Sequence, residues 1–209
     1  MTSKNEINKE KEKSEEREIA TKNARKDMLL DIAPYIIIIV FVVLLRTFIA
    51  TPVSVHGTSM DPTLKDGDTM ILYKLTKKFR GIKRKDIVVI KTDSGKLIKR
   101  IIGLPGDVIT YKIEEKDGKT FNTLYVNGKV IKEDYITKEN QAKTCVSQTG
   151  EIWTLCETEI KVPKGEYYVL GDNRGNSKDS RMIGTVKEED ISGTTELVIF
   201  PFTRFGIKD

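Results

Sequence analysis

Histidine is almost missing from this 209-residue chain: His56 is the only one. A Ser-His-Asp triad would have to use it, yet it stands three residues before Ser59, too local to act as a base across a site. His56 therefore reads as a structural or pocket-rim residue. Cysteine is scarce as well. Cys145 and Cys156 form no CxxC pair, and with the imidazole far away in sequence they match neither a redox motif nor a zinc site. Two readings of them stay open, a short loop-closing disulfide in an oxidising compartment or a pair of buried thiols. A stripe of positive charge is lacking too: the net charge is +5, but acidic residues are interleaved throughout, so no nucleic-acid partner is expected. Internal repeats are absent, and so is any long amphipathic helical pattern beyond residue 51. The length admits one ordinary domain plus a tail or an anchor.

What is present falls into three parts. Residues 1–31 are dense in lysine and glutamate with almost nothing to build a core, and read as a charged tail, a solvated helix or disordered segment without the apolar seam of a coiled coil. Residues 32–50, IAPYIIIIVFVVLLRTFIA, approach the roughly 20 apolar residues that cross a bilayer as a helix. Pro34 sits in the first turn, where its missing N–H costs nothing, and Arg46 lies near the far end, where it can snorkel to the headgroups. A cleaved signal peptide fits poorly, because the charged tail is long and no convincing A-x-A site follows. Lys13, Arg17, Lys22, Arg25 and Lys26 precede the span and only Lys65 follows within twenty residues, which predicts a cytoplasmic N-terminus and an external segment 51–209. That segment consists of short β-branched runs divided by Gly, Asp and Pro turns, among them DTMILYKL, DIVVIK, KLIKRIIG, DVITYKI, TLYVNGKVI, EIWTLC, EYYVLGD and TTELVIF. The expected class is mainly β, antiparallel sheets folded on each other, with the polar stretch from about 107 to 164 as a non-catalytic insertion.

Three segments bear on chemistry. GTSMDPTL places Ser59 on a tight turn bounded by Gly57 and Pro62, which alone would suggest only a turn-forming serine. In KLIKRIIGLPGD, strand alternation puts Lys99 on one face with Leu97 and Ile101, where burial would lower its pKa toward that of a usable base; the plainer reading is a lysine pointing to solvent from an edge strand. Arg100 cannot take that role, since a guanidinium stays charged. YYVLGDNRGNSKDSR offers Ser177, whose hydroxyl could bond a lysine amine, and Asp179 with Arg181 as an ion pair; an Asx/Gly-rich surface loop is the plainer alternative.

Taken together and in this order, one apolar anchor, GTSMDPTL, KRIIGLPGD and GDNRGNSKDSR resemble the type I signal peptidases of bacteria, in the single-anchor form of Gram-positive bacteria, from about residue 32 to the end. The resemblance implies a Ser/Lys protease on a β-rich fold, with Ser59 as nucleophile and Lys99 as general base. Ser177 would orient the lysine amine, Asp179 and Arg181 would form a supporting ion pair, and Asp172, Asn173 and Arg174 would belong to the loop behind it. It implies acyl transfer without metal or organic cofactor. The expected partners are signal peptides of exported preproteins with small residues before the cut, membrane lipid, and the secretion machinery by proximity. Val53, Val55, Met60, Leu64 and Ile98 are pocket candidates by position. Where some relatives carry a serine two positions before the nucleophile this chain has Gly57, which leaves the second oxyanion donor unassigned. The aromatic end, ELVIFPFTRFG, could rest against lipid. The competing readings are a membrane-tethered β domain without activity, including an inactive relative, and a self-cleaving repressor-type Ser/Lys protease. The latter would bring a DNA-binding helix pair and no span.

Overall fold

The computed structural model describes residues 17, 21–22, 26, 28–44, 46, 49–116, 119–145, 156 and 158–208. The chain divides into two compact units, Met1–Thr47 and Phe48–Asp209.

In the first unit, residues 28–44 form a helix (α1) whose side chains from Tyr35 to Leu44 are all exposed, although every one of them is apolar or aromatic. No helix among the described residues is long and apolar enough to cross a membrane. The expected span of 32–50 includes positions 45, 47 and 48, which lie outside the described residues. Its far end differs from expectation: Ala50 opens a strand, because its backbone pairs with Tyr73 instead of continuing a helix.

The second unit is built from antiparallel sheets. The larger has eight strands in the order β1 (Ala50–Ser54), β2 (Thr69–Tyr73), β11 (Ile191–Phe200), β3 (Ile87–Thr92), β4 (Gly95–Gly103), β9 (Glu166–Leu170), β10 (Val186–Lys187), with β12 (Gly206–Ile207) added to β11. The smaller has four, in the order β7 (Lys129–Val130), β6 (Lys119–Val126), β5 (Val108–Lys116), β8 (Ile160–Lys161). Alternation shapes β2, in which Met70 and Leu72 point inward between half-buried neighbours. The inner strands β3 and β4 are buried on both faces, which their unbroken runs IVVI and IKRIIG require. Helices α2 (Thr76–Phe79), α3 (Lys138–Ala142) and α4 (Ser180–Ile183) are single turns. Of the expected strand EIWTLC, residues 151–155 lie outside the described residues.

Two apolar clusters fix the site. One holds Val55, Met60 and Leu64 of the segment after β1 against Met70, Ile87 and Ile98 of the large sheet. The other packs Ile109 and Leu124 of the small sheet on Ile102, Tyr168 and Leu170 of the large one. The hydroxyls of Tyr111 and Tyr168 meet at 3.0 Å across the same junction.

Candidate active site

The turn that carries Ser59 is closed on itself. Val55 N–H donates to the Asp68 carbonyl at 2.7 Å, Gly67 N–H returns to the Val55 carbonyl at 3.1 Å, and Gly57 N–H donates to Asp66 Oδ1 at 2.8 Å. Gly57 adopts φ +82°, a conformation that side chains disfavour. Arg204, from the 3-10 turn after β11, reaches back to the Asp68 carboxylate at 2.9 Å and to the Thr63 carbonyl at 3.1 Å. Met60 and Leu64 anchor the turn in the core, and Ser59 stands half-buried above them.

Lys99 comes from the middle of the sheet, not from an edge: β4 pairs with β3 on one side, Lys99 opposite Val88, and with β9 on the other. Its side chain is 2% exposed. The amine donates to Ser59 Oγ at 2.7 Å and to the Ile98 carbonyl at 2.9 Å. Burial among aliphatic strands pulls its pKa from 10.5 down to about 8; the carboxylates of Asp179 and Asp172 oppose the shift and the Arg181 guanidinium adds to it. A neutral amine is thus accessible near neutral pH, within hydrogen-bond reach of a hydroxyl.

The loop after β9 surrounds this pair. Gly171 threads between the Ser59 carbonyl and Ser177: a Cβ at Gly171 would lie 2.4 Å from Ser59 O and 2.6 Å from Ser177 Cβ. Asn173 clamps the Ser59 turn, its N–H donating to Ser59 O at 3.0 Å and its amide to Thr58 O at 3.1 Å, while Asn176 donates to Thr58 Oγ1 at 3.1 Å. Asp172 is fully buried against Arg100, at 2.9 and 2.7 Å, and the Arg100 guanidinium stacks 3.9 Å from the Tyr135 ring. Asp179 accepts from the Gly171 N–H at 2.9 Å and pairs with Arg181 at 2.8 and 2.6 Å. Arg181 also donates to the carbonyls of Thr144 and Arg174. Arg174 is paired with buried Glu133; burial would raise that carboxyl's pKa, but Arg174 outweighs it and holds the carboxyl below its ordinary value.

One expected contact is not made. Ser177 Oγ is buried without a hydrogen-bond partner among the described residues, and the Lys99 amine bonds Ser59 and Ile98 instead. The Asp179–Arg181 pair forms as expected. A cleft of about 400 Å³ opens on Ser59 and Lys99 and is lined by Val53, Val55, Met60 and Ile98, with His56 at its rim. Leu64 does not line it; its side chain is completely buried beneath the turn, so its assignment to the pocket is corrected to a core role. The sequence reading missed Gly171, Asn176 and Glu133. Only Gly171 left a local signal, a glycine where a strand ends in a polar loop. Cys145 and Cys156 form a disulfide beside Thr144.

The family described as signal peptidase, peptidase S26, matches residues 29–200. Signal peptidase I of Bacillus licheniformis is 38% identical over 192 residues, covering 90% of this chain and 96% of that protein. Signal peptidase I T of Bacillus subtilis is 40% identical over 172 residues, 80% of this chain and 82% of the relative. A crystal structure of a signal peptidase I from Enterococcus faecalis aligns at 34% identity and a TM-score of 0.37, over 54% of this chain and 95% of that one. The chain belongs to the signal peptidase family, peptidase S26, in its bacterial type I branch. It is accordingly a member of a family of serine protease hydrolases.

Proposed function

We propose that the protein is a membrane-bound serine endopeptidase that removes N-terminal signal peptides from exported preproteins, with Ser59 as nucleophile and Lys99 as general base. The observation that carries this reading is the 2.7 Å contact between a buried, pKa-lowered amine and a hydroxyl at the floor of a cleft. Neutral Lys99 takes the Ser59 proton as Oγ attacks the scissile carbonyl; the lysinium then returns the proton to the leaving amine, and water repeats the cycle on the acyl-enzyme. The Ser59 backbone N–H would serve as one oxyanion donor. Asp179, Arg181 and Asp172 act as positioning residues, since their bonds fix the loop that clamps the Ser59 turn. Ser177 joins them on the strength of the family motif, as the residue that would orient the Lys99 amine, although among the described residues its hydroxyl makes no bond to that amine.

The peptide docks by strand addition. β1 ends the sheet order and among the described residues pairs only with β2, so its outer edge can take an extended chain, and β1 contributes Pro52 and Val53 to the cleft. Shallow contacts with Val53, Val55, Met60 and Ile98 suit small side chains before the cut. The exposed apolar helix at 28–44 supports an anchor within 32–50, with 1–31 cytoplasmic, 51–209 extracellular, and 107–164 an insertion outside the chemistry. Cleavage of a purified preprotein by the full chain and by Ser59→Ala and Lys99→Ala tests the reading. Both variants are expected to remain folded and lose at least about a thousandfold in kcat/KM; normal processing by either ends the dyad.

A further inference from the structure

Thr144 stands two residues after α3, fully buried, with Cys145 next to it in the chain. Two hydrogen-bond paths run from it to the two backbone groups of Gly171. One starts at the Thr144 carbonyl, which accepts from Arg181 Nη1 at 2.6 Å; Arg181 pairs with Asp179, and Asp179 Oδ2 accepts from the Gly171 N–H at 2.9 Å. The other starts at the Thr144 hydroxyl oxygen, which accepts from Arg174 Nη1 at 3.1 Å, while Arg174 Nε donates to the Gly171 carbonyl at 3.1 Å. Gly171 is wedged between the Ser59 carbonyl and Ser177, so both paths end where the loop presses on the Ser59 turn. Thr144 is itself held in two ways. Its N–H and its hydroxyl both donate to the Gln141 carbonyl, at 3.0 and 2.7 Å. The disulfide then ties the neighbouring Cys145 to Cys156, whose sulfur lies 3.7 Å from the Thr144 carbonyl oxygen. Asn140 bonds the Asp172 carbonyl and the Arg174 N–H, which fixes α3 against the loop, and the disulfide fixes the end of the same segment.

Resting on the proposed peptidase reading, we infer that Thr144 is a positioning residue for catalysis, locked in place by the Cys145–Cys156 disulfide. Thr144 and the two cysteines stand apart from the residues that line the cleft, and their effect reaches Ser59 through Arg174, Arg181 and Gly171. A guanidinium is a rigid planar fork, so moving one of its acceptors disturbs the other bonds that it makes. Attack by Ser59 Oγ tolerates little misplacement, and a shift passed on through Gly171 slows the chemical step. The peptide contacts proposed for Val53, Val55, Met60 and Ile98 come from β1, the segment after it and β4, so KM is expected to hold while kcat falls.

The test uses the full chain in nonionic detergent and a purified preprotein. Thr144→Val keeps the shape of the side chain and removes its hydroxyl, Thr144→Ser keeps the hydroxyl, and Cys145→Ala combined with Cys156→Ala opens the cross-link. Each is assayed below its unfolding transition, located by circular dichroism. The expected result is a kcat lower by about fivefold or more in Thr144→Val and in the double cysteine variant, with KM within about twofold of the wild type, and both constants within about twofold in Thr144→Ser. A soluble dithiol gives a second route on the unaltered chain: thiol–disulfide exchange leaves Cys145 and Cys156 as thiols and the reagent as a cyclic disulfide. Once alkylation shows two free thiols, kcat should fall toward that of the double cysteine variant, return on reoxidation, and stay unaffected by dithiol in the variant itself. A purely structural role would lower the transition temperature and leave kcat alone. Wild-type kcat in folded Thr144→Val or in the folded double cysteine variant therefore overturns the inference while leaving the peptidase reading intact. Wild-type kcat in the reduced chain does the same, even where a variant fails to fold. Failure of the wild type to cleave the preprotein overturns both, and so does equal cleavage by Ser59→Ala.

Discussion

Lys99 is the residue on which chemistry and stability pull in opposite directions. Its pKa of about 8 means that the basic form grows tenfold per pH unit below that value and saturates above it. The kcat/KM of the full chain should therefore climb with pH through neutrality and level off above about pH 8; a flat profile between pH 6 and 9 would remove Lys99 as the base. The same shift acts on folding. The unfolded lysine titrates at the ordinary 10.5, so between about pH 8 and 10.5 the unfolded state binds more protons and stability rises with pH, while below pH 8 the whole penalty is present. Lys99→Met removes that penalty along with the hydrogen bonds to Ser59 and Ile98, and should stabilise the protein at pH 7 by about 1–3 kcal/mol, the advantage fading toward pH 10.5. Urea unfolding at pH 7 and pH 10 measures it, and a less stable variant at pH 7 contradicts the argument. Alternation in KLIKRII was enough to set Lys99 among aliphatic side chains. That two strands flank it, and that its amine bonds a main-chain carbonyl as well as Ser59, depends on pairings no local pattern encodes.

Among elements, the loop after β9 gives the site its shape. Gly171 is the point of closest approach, with the Ser59 turn on one side and Ser177 on the other. Gly171→Ala would force apart the two segments that Asn173 ties together, displacing Ser59 by a fraction of an ångström or more. A loss of about a hundredfold in kcat is expected with the fold retained, read by kinetics alongside circular dichroism; wild-type kcat would show that the loop yields freely. Most strand positions in the outer segment could be read from β-branched runs and turn residues. The small strands β8, β10 and β12 could not, because two residues carry no period. Glu133, 41 residues from its partner Arg174, and Asn140, which bonds the Asp172 carbonyl from α3, were equally hidden. Their side chains look like ordinary surface residues in sequence and gain their role only when α3 and its flanking segment pack on the loop. The stretch 107–164, read as standing outside the chemistry, thus contributes the acidic partner that buries Arg174.

At the scale of the whole molecule, the proposed reading raises the question of what an anchor would add to the unit that holds Ser59 and Lys99. Ser59, Lys99 and their supporting loop all lie within Phe48–Asp209. The exposed helix at 28–44 of the first unit shows no apolar partner surface among the described residues, and under the proposed reading lipid is the solvent that would cover it. If that helix holds the enzyme at a bilayer, enzyme and membrane-inserted substrate meet on one surface at a raised effective concentration, whereas a short soluble peptide gains nothing from the arrangement. Removal of residues 1–47 should then leave kcat/KM for a soluble peptide within about threefold, and lower the rate on a preprotein inserted in liposomes by at least about tenfold. Measured side by side, the two substrates separate tethering from catalysis. Equal losses on both would mean that the first unit supports the fold of the second, and unchanged rates on both would remove the anchor from the account of how substrate is found.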